Sequence, residues 1–221
     1  MALTLFAHPL SSFCQKVLVA LYEHGTPFTM RLVGTGDPTA AAELEQMWPM
    51  GKFPVLRDES RGLTVAESSL IIDHIDRHYA GRSRLIPGDG DAAMPVHLWD
   101  RFFDNYVEHP MQAVVGDALR PEDKRDPFGV DQAKAILDKA YKVAEAQLAG
   151  RQWVTGDQFT MADCAAAPGL FYANLILPFS DNTNLSAYFA RLVARPSFAR
   201  AIEEARPYHH LFPLGVPARY P

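Results

Sequence analysis

Cysteine is scarce in this chain, with only Cys14 and Cys164 among 221 residues. Two thiols so far apart in sequence supply no disulfide framework, so stability must come from a packed core. Free thiols beside seven methionines point to a reducing, cytoplasmic compartment. Positive charge is also short: 21 Lys and Arg stand against 26 Asp and Glu, a net charge of −5, with no Lys/Arg run. A phosphate-binding face needs clustered cations, so no nucleic-acid partner is expected. Long apolar runs are missing too. No stretch approaches the roughly 20 residues that cross a bilayer as a helix, so no membrane partner is expected. Met1-Ala2-Leu3-Thr4-Leu5-Phe6 lacks the basic lead of a signal peptide and reads as a strand. What remains is ordinary globular material, 48% hydrophobic and 21% charged, long enough for one large or two small domains.

Leu3 to Ala7 predicts a short strand, closed by His8-Pro9. From Ser12 to His24, apolar residues at Phe13, Val17, Leu18, Ala20 and Leu21 follow helical spacing, and Gly25 supplies the stop. Phe28 to Val33 alternates and predicts a second strand, parallel to the first across the helix. A short Ala-rich helix is expected over Thr39 to Met47. Lys52 to Arg57 and Gly62 to Val65 form a hairpin around Asp58-Glu59-Ser60-Arg61. Glu67 to Tyr79 is a further helix with Leu70, Ile71, His74, Ile75 and His78 on one face. The order β-α-β-α-β-β-α is the thioredoxin-like arrangement, an α/β domain with a mixed four-stranded sheet, over residues 1–80. Gly81, Pro87, Gly88, Gly90 and Pro95 then mark a linker over 81–95. Residues 96–221 read as an all-α bundle. Its helices are expected over Val96 to Val115, over Val130 to Leu148, and from Thr160 with an Asp163 capping box and a bend at Pro168. Leu185 to Ala194 and Ser197 to Ala205 complete it. The Pro-rich tail after Pro207 is read as an extended wrap.

Several residues stand where chemistry is possible. Ser11 precedes the first helix, whose free N–H groups and dipole favour an anion. It is either a plain cap or a hydroxyl that donates to a substrate thiolate, and since Ser12 follows, both readings can hold together. Cys14 is spaced like the second cysteine of a C-x-x-C motif whose first is replaced by serine, and reads as a small apolar filler. Phe53-Pro54 enters a strand; a cis bond there would leave the Phe53 backbone free to pair with an extended peptide. Glu67-Ser68 opens a helix and suits the two charges of an amino-acid end, an ammonium and a carboxylate, although most such starts are simple caps.

Taken in order, Ser11-Ser12-Phe13-Cys14, Met50-Gly51-Lys52-Phe53-Pro54-Val55-Leu56, Glu67-Ser68 and the capping segment Gly156 to Asp163 resemble the cytosolic glutathione transferases, essentially end to end. The resemblance implies a homodimer that takes glutathione as co-substrate, without a metal, and conjugates it to a hydrophobic electrophile. Ser11 falls at the catalytic serine of the theta and zeta classes, and Ser12 lies nearer the catalytic cysteine of the beta class. No tyrosine stands in the first strand or its loop, which disfavours the tyrosine-type mechanism. Phe53 and Pro54 would meet the cysteinyl part of the peptide, Glu67 and Ser68 its γ-glutamyl end, and Lys52 its glycine carboxylate. His8 is equally a site neighbour or a loop residue. Phe103, Tyr106 and Met111 are candidates for the electrophile pocket, against the competing reading of helix core. Asp100 or Asp104 is a candidate to reach glutathione across a dimer, against a solvated face. A zeta-like isomerase, a dehalogenase and a non-catalytic glutathione-binding protein remain alternatives. Phe13-Cys14 departs from the zeta pattern Ser-Ser-Cys-Ser.

Overall fold

The computed structural model describes residues 3–81, 84–217 and 220. Strand β1 (Leu3–Ala7) leads through the His8–Leu10 loop into α1 (Ser12–His24) and then β2 (Thr29–Leu32). Helix α2 (Pro38–Met47) follows, then the hairpin β3 (Val55–Asp58) and β4 (Leu63–Ala66), then α3 (Ser68–His78). The sheet order is β2-β1-β3-β4. β1 runs parallel to β2, with Leu5 opposite Met30, and antiparallel to β3, with Leu5 opposite Leu56. Strand side chains alternate between faces. Leu5, Ala7 and Leu56 accordingly join the core beneath α1 and α3, whereas Phe6 and Val55 pack with Val33, Ala40 and Leu44 beneath α2. The mixed four-stranded sheet expected from the sequence is the one observed.

The second half is helical. It comprises α4 (Gly90–Phe103), a π-helical turn (Asp104–Glu108), α5 (His109–Ala118), α6 (Pro127–Gln147), α7 (Met161–Ile176), α8 (Thr183–Ala194) and α9 (Pro196–Ala205). Helix α7 is buried continuously from Met161 through Ala173, and its residues share one hydrophobic core with α1 and the sheet. A helix apolar on every side can only sit at the centre. Its start is fixed by the capping box, with Thr160 N–H donating to Asp163 Oδ2 at 2.8 Å.

The structure departs from the sequence expectation in four places. Of the stretch read as linker, residues 82 and 83 lie outside the described residues, and α4 already begins at Gly90 because the Asp89 carboxylate accepts from Asp91 N–H at 3.1 Å. The single helix expected over 96–115 is interrupted by the π-turn. On α3 the buried stripe runs through Ser68, Ile71, Ile72 and Ile75, an i, i+3, i+4, i+7 series, so Leu70 falls off it and is 58% exposed. Finally, Arg206–Leu211 of the tail winds as a 3-10 helix instead of extending.

Candidate functional site

Ser11 is the N-cap of α1. Its backbone is extended (φ −74°, ψ 123°), and its Oγ accepts from Cys14 N–H at 3.4 Å. Because the hydroxyl is an acceptor toward the helix, its own O–H stays available as a donor. Ser12 differs. It is 5% exposed, and its Oγ donates to the Glu108 carboxylate in the second half of the chain. The two adjacent serines therefore face different partners. Cys14 is fully buried, and burial pushes its thiol up to about 12, which suits an inert filler.

Two clefts adjoin at Phe53 and Gln112, and Ser11 lines one of them. One, of about 300 Å³, is polar and is lined by Lys52, Phe53, Pro54, Glu67, Ser68 and Gln112 among others. The other, of about 490 Å³, carries Ser11 and Ser12 among apolar side chains that include Leu10, Met111, Leu119, Tyr172 and Phe212. Phe53 and Gln112 line both. The Phe53–Pro54 bond is cis. Glu67 precedes α3 with φ +69°, and it is the one non-glycine residue at positive φ among those described. A glutamate held in this region costs about 1–3 kcal/mol, and such strain gathers at functional sites. Its side chain makes no capping bond, so the carboxylate is not fixed by its own helix. Ser68 is buried and Lys52 exposed.

The predicted electrophile-pocket residues do not come together. Met111 lines the apolar cleft with Ser11. Phe103 is fully buried in the core and lines neither cleft. Tyr106, 53% exposed, faces a separate groove with Ile136 and Val143 of α6. Phe103 ends α4 and Tyr106 lies within the π-turn that follows. Asp100 is 1% exposed and paired with the buried Lys16 ammonium at 2.6 Å, so it is an interior group and not part of a solvated helix face. Asp104 binds the same ammonium at 2.8 Å and lines the polar cleft. Ser69 accepts from Lys16 at 2.9 Å, which ties the start of α3 to α1 and α4. His8 lines the apolar cleft, with its Nδ1 accepting from Leu10 N–H at 3.1 Å.

Gln112, Glu108, Tyr172 and Phe212 were not among the sequence candidates. Gln112 and Glu108 had no distinctive signal, since Asp104, Asn105 and His109 make the same stretch polar at several positions. Phe212 had none, since its position depends on how the tail folds back over the molecule.

The comparisons with known proteins agree with this architecture. The model of the glutathione S-transferase N-terminal domain matches residues 5–83, and that of the C-terminal domain matches residues 127–191. The chain is similar to glutathione S-transferase GstB of Escherichia coli K12, at 26% identity over 203 residues that span 90% of this chain and 97% of that protein. Among solved structures, a glutathione S-transferase of Methylobacillus flagellatus KT with GSH bound superposes with a TM-score of 0.82 at 26% identity, covering 90% of this chain and 98% of that one. A glutathione transferase family member of Pseudomonas fluorescens Pf-5 with bound glutathione gives a TM-score of 0.76 at 28% identity, again over 90% of this chain and 98% of that one. With its sheet domain and its helical domain both matched, over more than half of its length, the chain belongs to the glutathione S-transferase family.

Proposed function

We propose that this chain is a serine-type glutathione transferase, which activates the glutathione thiol at Ser11 and conjugates it to a hydrophobic electrophile. The observation that carries the reading is the Ser11 hydroxyl. It accepts from the α1 backbone, keeps its O–H free, and stands at the edge of an apolar cleft beside a polar one. Glutathione lies in the polar cleft. Glu67 and Ser68 take the γ-glutamyl end, the Phe53 backbone pairs with the cysteinyl residue beside Pro54, and Lys52 neutralises the glycine carboxylate. The sulfur then meets the Ser11 O–H and the positive end of α1. Both favour the thiolate and lower its pKa from about 8.5. Ser12 is the weaker choice because its hydroxyl is engaged by Glu108.

The thiolate attacks an electrophilic carbon of a co-substrate held in the apolar cleft. A C–S bond forms while the leaving group departs with its electron pair. The reading also makes the protein a homodimer. Titration calorimetry with glutathione tests the site. Binding in the micromolar to low millimolar range is expected, weakened about ten-fold in Ser68→Ala; absence of binding at millimolar glutathione would remove the assignment.

A further inference from the structure

Glu108 ends the π-turn, is 3% exposed, and is enclosed by α1, α5 and α7. Its Oε1 accepts from Ser12 Oγ on one side and from Gln112 Nε2, at 3.0 Å, on the other. Its Oε2 lies against α7 at Gly169, 3.5 Å from where a Cβ at that glycine would stand. The carboxylate therefore joins Ser12, next to Ser11, with Gln112, which with Phe53 lines both clefts. An amide is planar, and its nitrogen and oxygen point to opposite edges. With Nε2 held by Glu108, the Gln112 carbonyl oxygen is the free end of an exposed side chain that lines both clefts, and it accepts no hydrogen bond among the described residues.

Resting on the transferase reading above, we propose that Glu108 is a positioning residue that sets the Gln112 amide for the second substrate and so selects its polar group. Ionised Glu108 holds the amide nitrogen and presents a carbonyl acceptor, which favours apolar electrophiles bearing a hydroxyl or N–H donor. Protonated Glu108 is itself a donor. It can hold the amide by its oxygen and turn the NH2 outward, which favours electrophiles bearing a carbonyl acceptor. Burial pushes the Glu108 carboxyl up to about 7, with the Asp104 charge adding to the rise, so the two states exchange near neutrality. The charged and titratable groups facing it are Asp104 on its own turn, Lys16 of α1 and Tyr172 of α7. Asp100 and Arg101 of α4 stand behind Asp104, and α6 turns the apolar Leu137 and Ala140 inward.

The test compares two benzyl chlorides, para-hydroxymethyl and para-acetyl. Glutathione displaces chloride from each in the same way, with the C–S bond forming as the C–Cl bond breaks. The ratio of their kcat/KM values cancels the ionisation of the thiol common to both. In the wild type the ratio should rise about five-fold in favour of the hydroxymethyl probe as pH climbs through neutrality, the effect of one ordinary hydrogen bond. In Glu108→Gln and in Gln112→Leu it should not vary with pH. A ratio that is flat in the wild type, or a pH dependence that survives Glu108→Gln, overturns the inference alone. A wild type that neither binds glutathione in the calorimeter nor turns over either probe overturns the transferase reading and this inference with it.

Discussion

Ser11 and Ser12 are chemically identical neighbours, and what separates them is which way each hydroxyl is committed. Ser11 bonds its own helix, and Ser12 bonds a buried carboxylate in the other half of the chain. Replacing Ser11 with Ala should lower kcat/KM for conjugation by about ten- to a hundred-fold, as expected for one hydrogen bond to a charged acceptor, and change glutathione affinity by less than about three-fold. Steady-state kinetics beside calorimetry checks this; a comparable loss of turnover in Ser12→Ala with Ser11→Ala unaffected would move the catalytic role. Ser11 was readable in the sequence because capping is local, decided within one helical turn. Gln112 and Glu108 were not, because their significance depends on partners on α1 that the chain reaches only after some ninety residues. Phe103 and Tyr106 show the converse error. Aromatic residues at helical spacing look alike in sequence, and only packing sorts a core ring from a wall of a cleft.

At the scale of elements, local signals and tertiary demands can be seen in competition. Where local signals were strong, they prevailed: Asp163 caps α7, and Gly25, at φ +65°, closes α1. At Glu67 tertiary demand prevailed. A positive φ is unfavourable for glutamate, yet the residue sits between β4 and α3 at the rim of the polar cleft. This gives a discriminating pair of substitutions. Glu67→Gly removes the carboxylate and relieves the strain, so it should leave Tm unchanged or raise it while increasing the glutathione KM about ten-fold. Glu67→Ala loses the carboxylate and keeps the strain, so it should show the same KM effect without the gain in stability. Calorimetric Tm and KM measured together decide the matter; unchanged KM in both variants would make Glu67 a purely structural turn. The π-turn is a local case. It comes just before Pro110, which has no N–H to return to the Tyr106 carbonyl, so a regular α-helical ladder cannot run through this point.

Across the whole molecule, the two halves are tied by shared burial and by a few polar bonds. The Arg195 guanidinium, at the α8–α9 junction, bonds Glu23 of α1 through two nitrogens at 2.7 and 2.6 Å and lies 3.9 Å over the Phe159 ring. The apolar cleft depends on this closure, since Leu10 and Ser11 come from one half and Met111, Tyr172 and Phe212 from the other. Outside, Leu70 on α3 and Met94 and Leu98 on α4 remain 58%, 67% and 63% exposed. Exposed apolar side chains also occur elsewhere, Leu119 and Phe128 among them, so the homodimer is a proposal for solution measurement to decide. Sedimentation should show a dimer at micromolar concentration and a shift toward monomer in Leu98→Glu; a monomeric wild type would remove the proposal. The order of strands and helices and the caps of α1 and α7 follow from residues close together in the chain, as does the peptide grip proposed around Phe53-Pro54 and Glu67-Ser68. Which serine hydroxyl is engaged by a buried carboxylate, which aromatic residues line a cleft, and that Gln112 lines both clefts while bonded to Glu108 follow only from the packed core. Those outcomes depend on α1 meeting the π-turn and on the tail folding over α7, contacts that form only when the whole core closes.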